Sequence, residues 1–125
     1  MKSIKETVST LRGIIAAAYT ASINGPAIDL ANFASNKVTF APGTITDGTH
    51  TPKLQESDAS GSGYTDVAAA DMDGTLAALA SNTLQSVAYI GTKRYLRCVV
   101  TVAGATTGGV YSATVDLGGS RVTPV

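Results

Sequence analysis

Two stretches near the C-terminus alternate apolar and polar residues, and that alternation constrains the chain more than any other feature. Across residues 94–103, Leu96, Cys98, Val100 and Val102 share one side, while Tyr95, Arg97, Val99 and Thr101 share the other. Across 110–117, Tyr111, Ala113, Val115 and Leu117 fall on one side and Ser112, Thr114 and Asp116 on the other. Successive side chains of an extended strand point to opposite faces, so each stretch reads as a half-buried β-strand. Gly104 and Gly108-Gly109 separate the two and read as the turn of a hairpin.

The remainder continues the pattern of short strands and turns. Candidate strands fall at 14–20, 27–30, 37–41, 50–57, 64–68 and 87–90. Asn24-Gly25-Pro26, Pro42-Gly43, Asp47-Gly48 and Gly91-Thr92 are turn signals between them. The Ala-rich stretch 69–81 reads as one helical turn or as a loop across the domain. Thr, Ala, Gly, Ser and Val dominate the composition, and strand formers outweigh long helix formers. No β–α rhythm is present, which excludes a parallel nucleotide-binding fold. The expectation is one all-β domain, an antiparallel sandwich of jelly-roll type with about seven or eight strands. Residues 13–119 form it, with an N-terminal arm over 1–12 and a short tail over 120–125. In the arm, Ile4, Val8 and Leu11 recur at helical spacing, so Ser3–Leu11 reads as a helical turn or two, or as an extended segment ordered by assembly.

Charge narrows the function classes. Nine Lys and Arg balance nine Asp and Glu, for a formal net charge of zero. A nucleic-acid binder normally presents a basic face, and here the one tight basic group is Lys93, Arg94 and Arg97. A neutral chain has little colloidal repulsion and tolerates close packing against neighbours. The apolar run 14–19 is shorter than a membrane span, and Glu6 and Arg12 interrupt a signal-peptide pattern.

Residues able to carry chemistry are few. His50, the single histidine, sits between Thr49 and Thr51 and reads as an exposed strand-edge residue rather than a base or metal ligand. Asp71-Met72-Asp73-Gly74 has the start of a calcium loop, but its twelfth position is Asn82 where a bidentate Glu is required. Glu56 and Asp58 share a strand face and read as a solvated strand end. Cys98 lies on the apolar side of its strand, opposite Arg97, and reads as buried and inert. No Gly-x-x-x-x-Gly-Lys phosphate loop occurs. The expectation is no catalytic set, no cofactor and no metal. Tyr95 and Arg97 share a face and read as a structural pair or an intersubunit contact.

One resemblance covers nearly the whole chain. Its residues are Lys53-Leu54-Gln55-Glu56-Ser57-Asp58, Tyr64-Thr65-Asp66-Val67, Val87-Ala88-Tyr89-Ile90-Gly91 and Lys93-Arg94-Tyr95-Leu96-Arg97, followed by a final strand and a Pro-Val ending. In these the chain resembles small head-region structural proteins of tailed bacteriophages, of the decoration or minor capsid kind. Where those relatives end in a Gly-His-Pro-type tail, this chain reads Gly118-Gly119-Ser120-Arg121, so no role of a tail histidine carries over. The resemblance implies a virion protein made in the host bacterial cytoplasm. Its partners would be the major capsid protein and copies of itself, a trimer by the local symmetry of such shells, with no nucleic acid or membrane partner. The contacts expected are Ile4, Val8 and Leu11 in the arm, with Tyr95 and Arg97 on the domain. A head–tail connector is the neighbouring alternative. More weakly, the chain is similar to sugar-binding sandwich modules, although such sites favour aromatic platforms and Trp is absent.

Overall fold

A computed structural model describes Met1 and residues 3–120. Ten strands form two sheets packed face to face. Strands β1 (Ser9–Tyr19), β4 (Ser35–Ile45), β7 (Met72–Asp73), β8 (Gln85–Tyr89) and β10 (Gly109–Gly118) make the first sheet, in the order β1-β10-β4-β8-β7. Strands β2 (Ile23–Asn24), β3 (Ile28–Asp29), β5 (Thr49–Ser57), β6 (Thr65–Asp66) and β9 (Tyr95–Ala103) make the second, in which β2 and β3 both pair with β9, β9 with β5, and β5 with β6.

Every pairing is antiparallel, and the pairs nest. The outermost is β1 with β10; inside it lie β2 and β3 with β9, then β4 with β8, then β5 with β6. The chain is a long two-stranded ribbon rolled up, so that β10 also meets β4 and β9 also meets β5. That is the jelly-roll arrangement, and it buries the alternating apolar side of each strand between the two sheets. The core holds Ile14, Val38, Phe40, Leu54, Val87, Leu96, Val100, Tyr111, Val115 and Leu117, all essentially inaccessible. Full burial of each large side chain contributes roughly 1.5–3 kcal/mol.

The rolling corrects several local expectations. The Gly104–Gly109 segment is not a hairpin, because β9 and β10 lie in different sheets and the segment crosses between them. Asp47 fastens this crossing: its carboxylate accepts the backbone N–H of Thr106, Thr107 and Gly108. Pro42-Gly43 does not turn the chain. The β4 strand runs through it, with a register shift opposite Gly109 and Tyr111 that absorbs an extra residue as a bulge. Pro42 lies beyond the reach of β8, which pairs only with Val38, Thr39 and Phe40, and the Ser81–Asn82 segment bonds there to Gly43 and Ile45 instead.

Asn24-Gly25-Pro26 likewise kinks a strand rather than reversing it. The β2–β3 segment holds one more residue than β9 between the paired positions Asn24↔Val99 and Ile28↔Leu96. Here Gly25 packs tightly against Gly13 of β1 in the other sheet. A Cβ on Gly25 would fall 1.8 Å from the Gly13 carbonyl oxygen and 2.9 Å from that of Cys98, so only glycine fits. Across the core, the 74–84 segment closes the sandwich. Leu79 is buried, its N–H bonds to the His50 carbonyl at 2.8 Å, and the Gln85 side chain brackets Ala77 through both its N–H and C=O. The stretch 69–81 thus contains a single 3-10 turn, Ala69–Asp71, then the short strand β7, paired with β8, before it crosses as a loop.

At the N-terminus, Ile4–Val8 forms one hydrogen-bonded turn, and Ser9–Arg12 already belongs to β1. Beyond Ser120 the expected C-terminal tail lies outside the described residues.

Candidate interaction surfaces

The outer face of the second sheet carries the chain's most organised polar cluster. Alternation in β5 and β9 brings Gln55 opposite Arg97, Ser57 opposite Tyr95 and Lys53 opposite Val99. The Arg97 Nε donates to Gln55 Oε1 at 2.8 Å, and its guanidinium lies over the Tyr64 ring at 4.2 Å. Gln55 passes the contact on, its amide donating to Asp66 Oδ1 at 2.8 Å. Lys53 reaches the same carboxylate at 3.0 Å. These two donors hold the Asp66 carboxyl below the usual aspartate range.

One strand end away, Arg94 stacks over Tyr95 at 5.1 Å and grips Asp29 with two bonds of 3.1 and 3.0 Å. That grip and the Ala31 N–H lower the Asp29 pKa. Lys93 pairs with Asp58 at 2.9 Å. Tyr95 and Arg97, grouped by the sequence pattern, therefore share this face, each with its own partner. Tyr64 and Gln55, which fix Arg97, carry no signal in the sequence because their relation to it is set by strand pairing. Val99 departs from expectation. It lies on the outer side yet is only 5% exposed and stands outside the main core, between Lys53 and Asn24 on the neighbouring strands.

The arm residues do not form one surface. Ile4 is 67% exposed and lines a shallow groove with Val8, Ser35, Lys37 and Asp116. Leu11 lies apart from that groove, exposed on β1. That strand is the long free edge of the first sheet. Register shifts between Arg12 and Ile14 and between Ile14 and Ala17 break it, and the Tyr19 hydroxyl takes up the Ile15 carbonyl at 2.5 Å.

His50 is a correction. It is 1% exposed and lies in the core, because it is in phase with Pro52 and Leu54 on the inner side of β5. Its Nε2–H donates to the Asp47 carbonyl at 3.0 Å. In that neutral tautomer, Nδ1 accepts from the Tyr111 hydroxyl at 3.0 Å. The ring is a satisfied polar bridge between the sheets. Its phase with Leu54 was visible in the sequence.

Glu56 is also less solvated than expected. It accepts the Tyr89 hydroxyl at 2.5 Å, and burial together with this bond pushes the Tyr89 pKa up to about 12. The Lys93 N–H occupies the same phenol oxygen at 3.0 Å. Tyr89 backs an open cleft of about 460 Å³ lined also by Leu30, Phe33, Asn36 and Ile90. Cys98 is fully buried and its thiol is pushed up to about 12 by that burial, so it carries no thiolate near neutral pH. Among the described residues no three His, Cys, Asp or Glu side chains converge to hold a metal ion. Nor is any helix among them long and apolar enough to cross a membrane.

In comparisons with known proteins, no family model and no curated protein matches the chain. Among solved structures it is similar to a chain from the "Structure of infectious bursal disease virus Gx strain", with a TM-score of 0.46 and 15% identity over 95% of this chain. The likeness covers 35% of that chain, so this one spans about a third of its length.

Proposed function

We propose that the chain is a virion structural protein of the decoration or cement kind, a non-enzymatic jelly roll that sits on the outside of a shell and stabilises it. The observation that carries this reading is topological. The nested ribbon, with β10 against β4 and β9 against β5, is an architecture common to capsid and lectin domains. Fold alone does not choose between those two. The outer face of the second sheet favours the first: Arg94 covers one face of Tyr95 and Arg97 one face of Tyr64, so the rings serve as supports for guanidinium groups. A sugar platform needs a bare ring face. The bacteriophage-head resemblance of the segments around Lys53–Asp58 and Lys93–Arg97 points the same way, and those segments build this face.

The test is the copy number of the protein in purified particles, measured by mass spectrometry against the major shell protein. A ratio near one per shell subunit supports decoration. A ratio of a few per particle moves the protein to the neck, as a connector, and absence from particles refutes a virion role.

A further inference from the structure

We infer that Arg97 is a preorganised anchor for a carboxylate side chain, Asp or Glu, on a partner protein that docks on the outer face of the second sheet. On and around that face the other cations already hold a carboxylate: Lys53 has Asp66, Lys93 has Asp58 and Arg94 has Asp29. Among the described residues no carboxylate reaches Arg97. Its Nε is spent on Gln55 and one ring-facing side on Tyr64, which leaves the paired Nη groups as a half-exposed fork without an acceptor.

The geometry suits this role for two reasons. A guanidinium presents parallel N–H bonds whose spacing matches a planar carboxylate, so the free edge is the part that forms a bidentate pair. The side chain is also already fixed. Tyr64 holds it from one side, and the Gln55 amide, tied to Asp66, holds it along the strand, so little rotamer freedom remains to be lost on docking. Arg and Tyr are the residue types that most often dominate the energy of protein contacts.

Charge also selects the partner. With Lys53, Lys93 and Arg94 neutralised locally, the face offers one uncompensated positive charge. Binding to nucleic acid needs a run of cations to neutralise successive phosphates, and here the neighbouring cations are already paired with carboxylates of this chain. A single carboxylate set among apolar or neutral partner groups fits. The inference holds whether that partner is a shell subunit or another protein.

The experiment follows the side-chain Nε–Hε resonances of the arginines of the full chain by NMR. The probe is N-acetylglutamate methylamide, with N-acetylglutamine methylamide and inorganic phosphate as controls at matched ionic strength. The expected response of Arg97 exceeds that of the ion-paired Arg94 and the strand-edge Arg12 by about fivefold, the upper range for one exposed pair. Glutamine leaves it unmoved, and in the R97K variant the neighbouring Gln55 amide no longer responds. A response at Arg97 no larger than at Arg12, or equal for the glutamine probe, overturns the inference. A larger response to phosphate than to the carboxylate overturns it in favour of a phosphate ligand.

Discussion

The outer faces of the two sheets come from the same alternation and are built differently. On the first sheet, the outward residues in the middle of β4, β8 and β10 are small: Thr39, Ala41, Ser86, Ala88, Ser112 and Thr114, with Lys37, Val110 and Asp116 towards the strand ends. Among them the Thr39 and Ser86 hydroxyls meet at 3.1 Å, and the Thr10 hydroxyl donates to Asp116 at 2.6 Å at the margin. On the second sheet, Thr49, Thr51 and Thr101 are short at one end, while at the other Lys53, Gln55, Tyr64, Asp66 and Arg97 are long or charged and hold one another in place. The inner sides of both sheets supply the apolar core that chiefly stabilises the fold. The elaborated outer side of the second sheet is therefore where the structure has spent side-chain order on something other than the core.

Both faces depend on a common frame, and breaking that frame should erase the difference between them. Gly25→Ala forces a methyl onto the Gly13 carbonyl where the sheets meet, and the expected loss is more than about 4 kcal/mol, read as failure to fold or as collapse of the chemical-denaturation midpoint. The next effect tests the bridge between the sheets. His50→Leu strands the Tyr111 hydroxyl in the core and leaves the part-buried Asp47 carbonyl without its donor, and should cost about 2–4 kcal/mol in urea unfolding, with Tyr111→Phe costing less because it orphans one nitrogen only.

The faces themselves are compared by smaller changes. Gln55→Ala removes both of its side-chain bonds and should cost about 1 kcal/mol, while Ser112→Ala or Thr114→Ala on the other face should stay within about 0.5 kcal/mol. Equal losses on the two faces would remove the contrast. Lys53→Ala, at an exposed pair, should fall between about 0 and 1 kcal/mol and shrink further in high salt.

Acid sharpens the comparison from another side. Asp29 and Asp66 at the second sheet, and Asp47 at the sheet crossing, all have pKa values lowered from the ordinary 3.8. For Asp47 the main cause is the Gly108 N–H, followed by that of Thr107. A carboxylate whose folded pKa is depressed adds stability that is fully present above its unfolded value and disappears as pH falls through the folded one. Stability should therefore decline as pH drops below about 4. Asp47→Asn should flatten that decline when thermal midpoints are measured from pH 6 downwards; an unchanged acid limb would show that the crossing contributes nothing to it.

Much of this was legible in the sequence. The inward sets of β10 and most of β9 follow directly from alternation, as does the burial of Cys98. The all-β class also follows from local residue types, whereas 69–81, read as one helical turn or a loop, holds the short strand β7 as well as a 3-10 turn. His50 shows a readable signal overridden by a local one: two flanking threonines suggested exposure, whereas its phase with Leu54 set its side. Of the candidate contacts, Tyr95 and Arg97 do share a face, while Ile4 and Val8 line one groove and Leu11 lies apart from it because β1 begins at Ser9 and takes Leu11 with it.

Residue periodicity is local, so the sequence by itself determined which side of each long strand turns inward, and the absence of net charge as well. Which strand lies beside which is a matter of contacts far apart along the chain. Only the tertiary structure decided that the Gly104–Gly109 segment crosses between sheets, that Gly25 meets Gly13, and that Gln55 and Tyr64 hold Arg97 while Asp66, Asp58 and Asp29 are taken by other cations. A hydrogen-bond ladder accepts almost any sequence, and the register is fixed when the apolar sides of all the strands must be buried together.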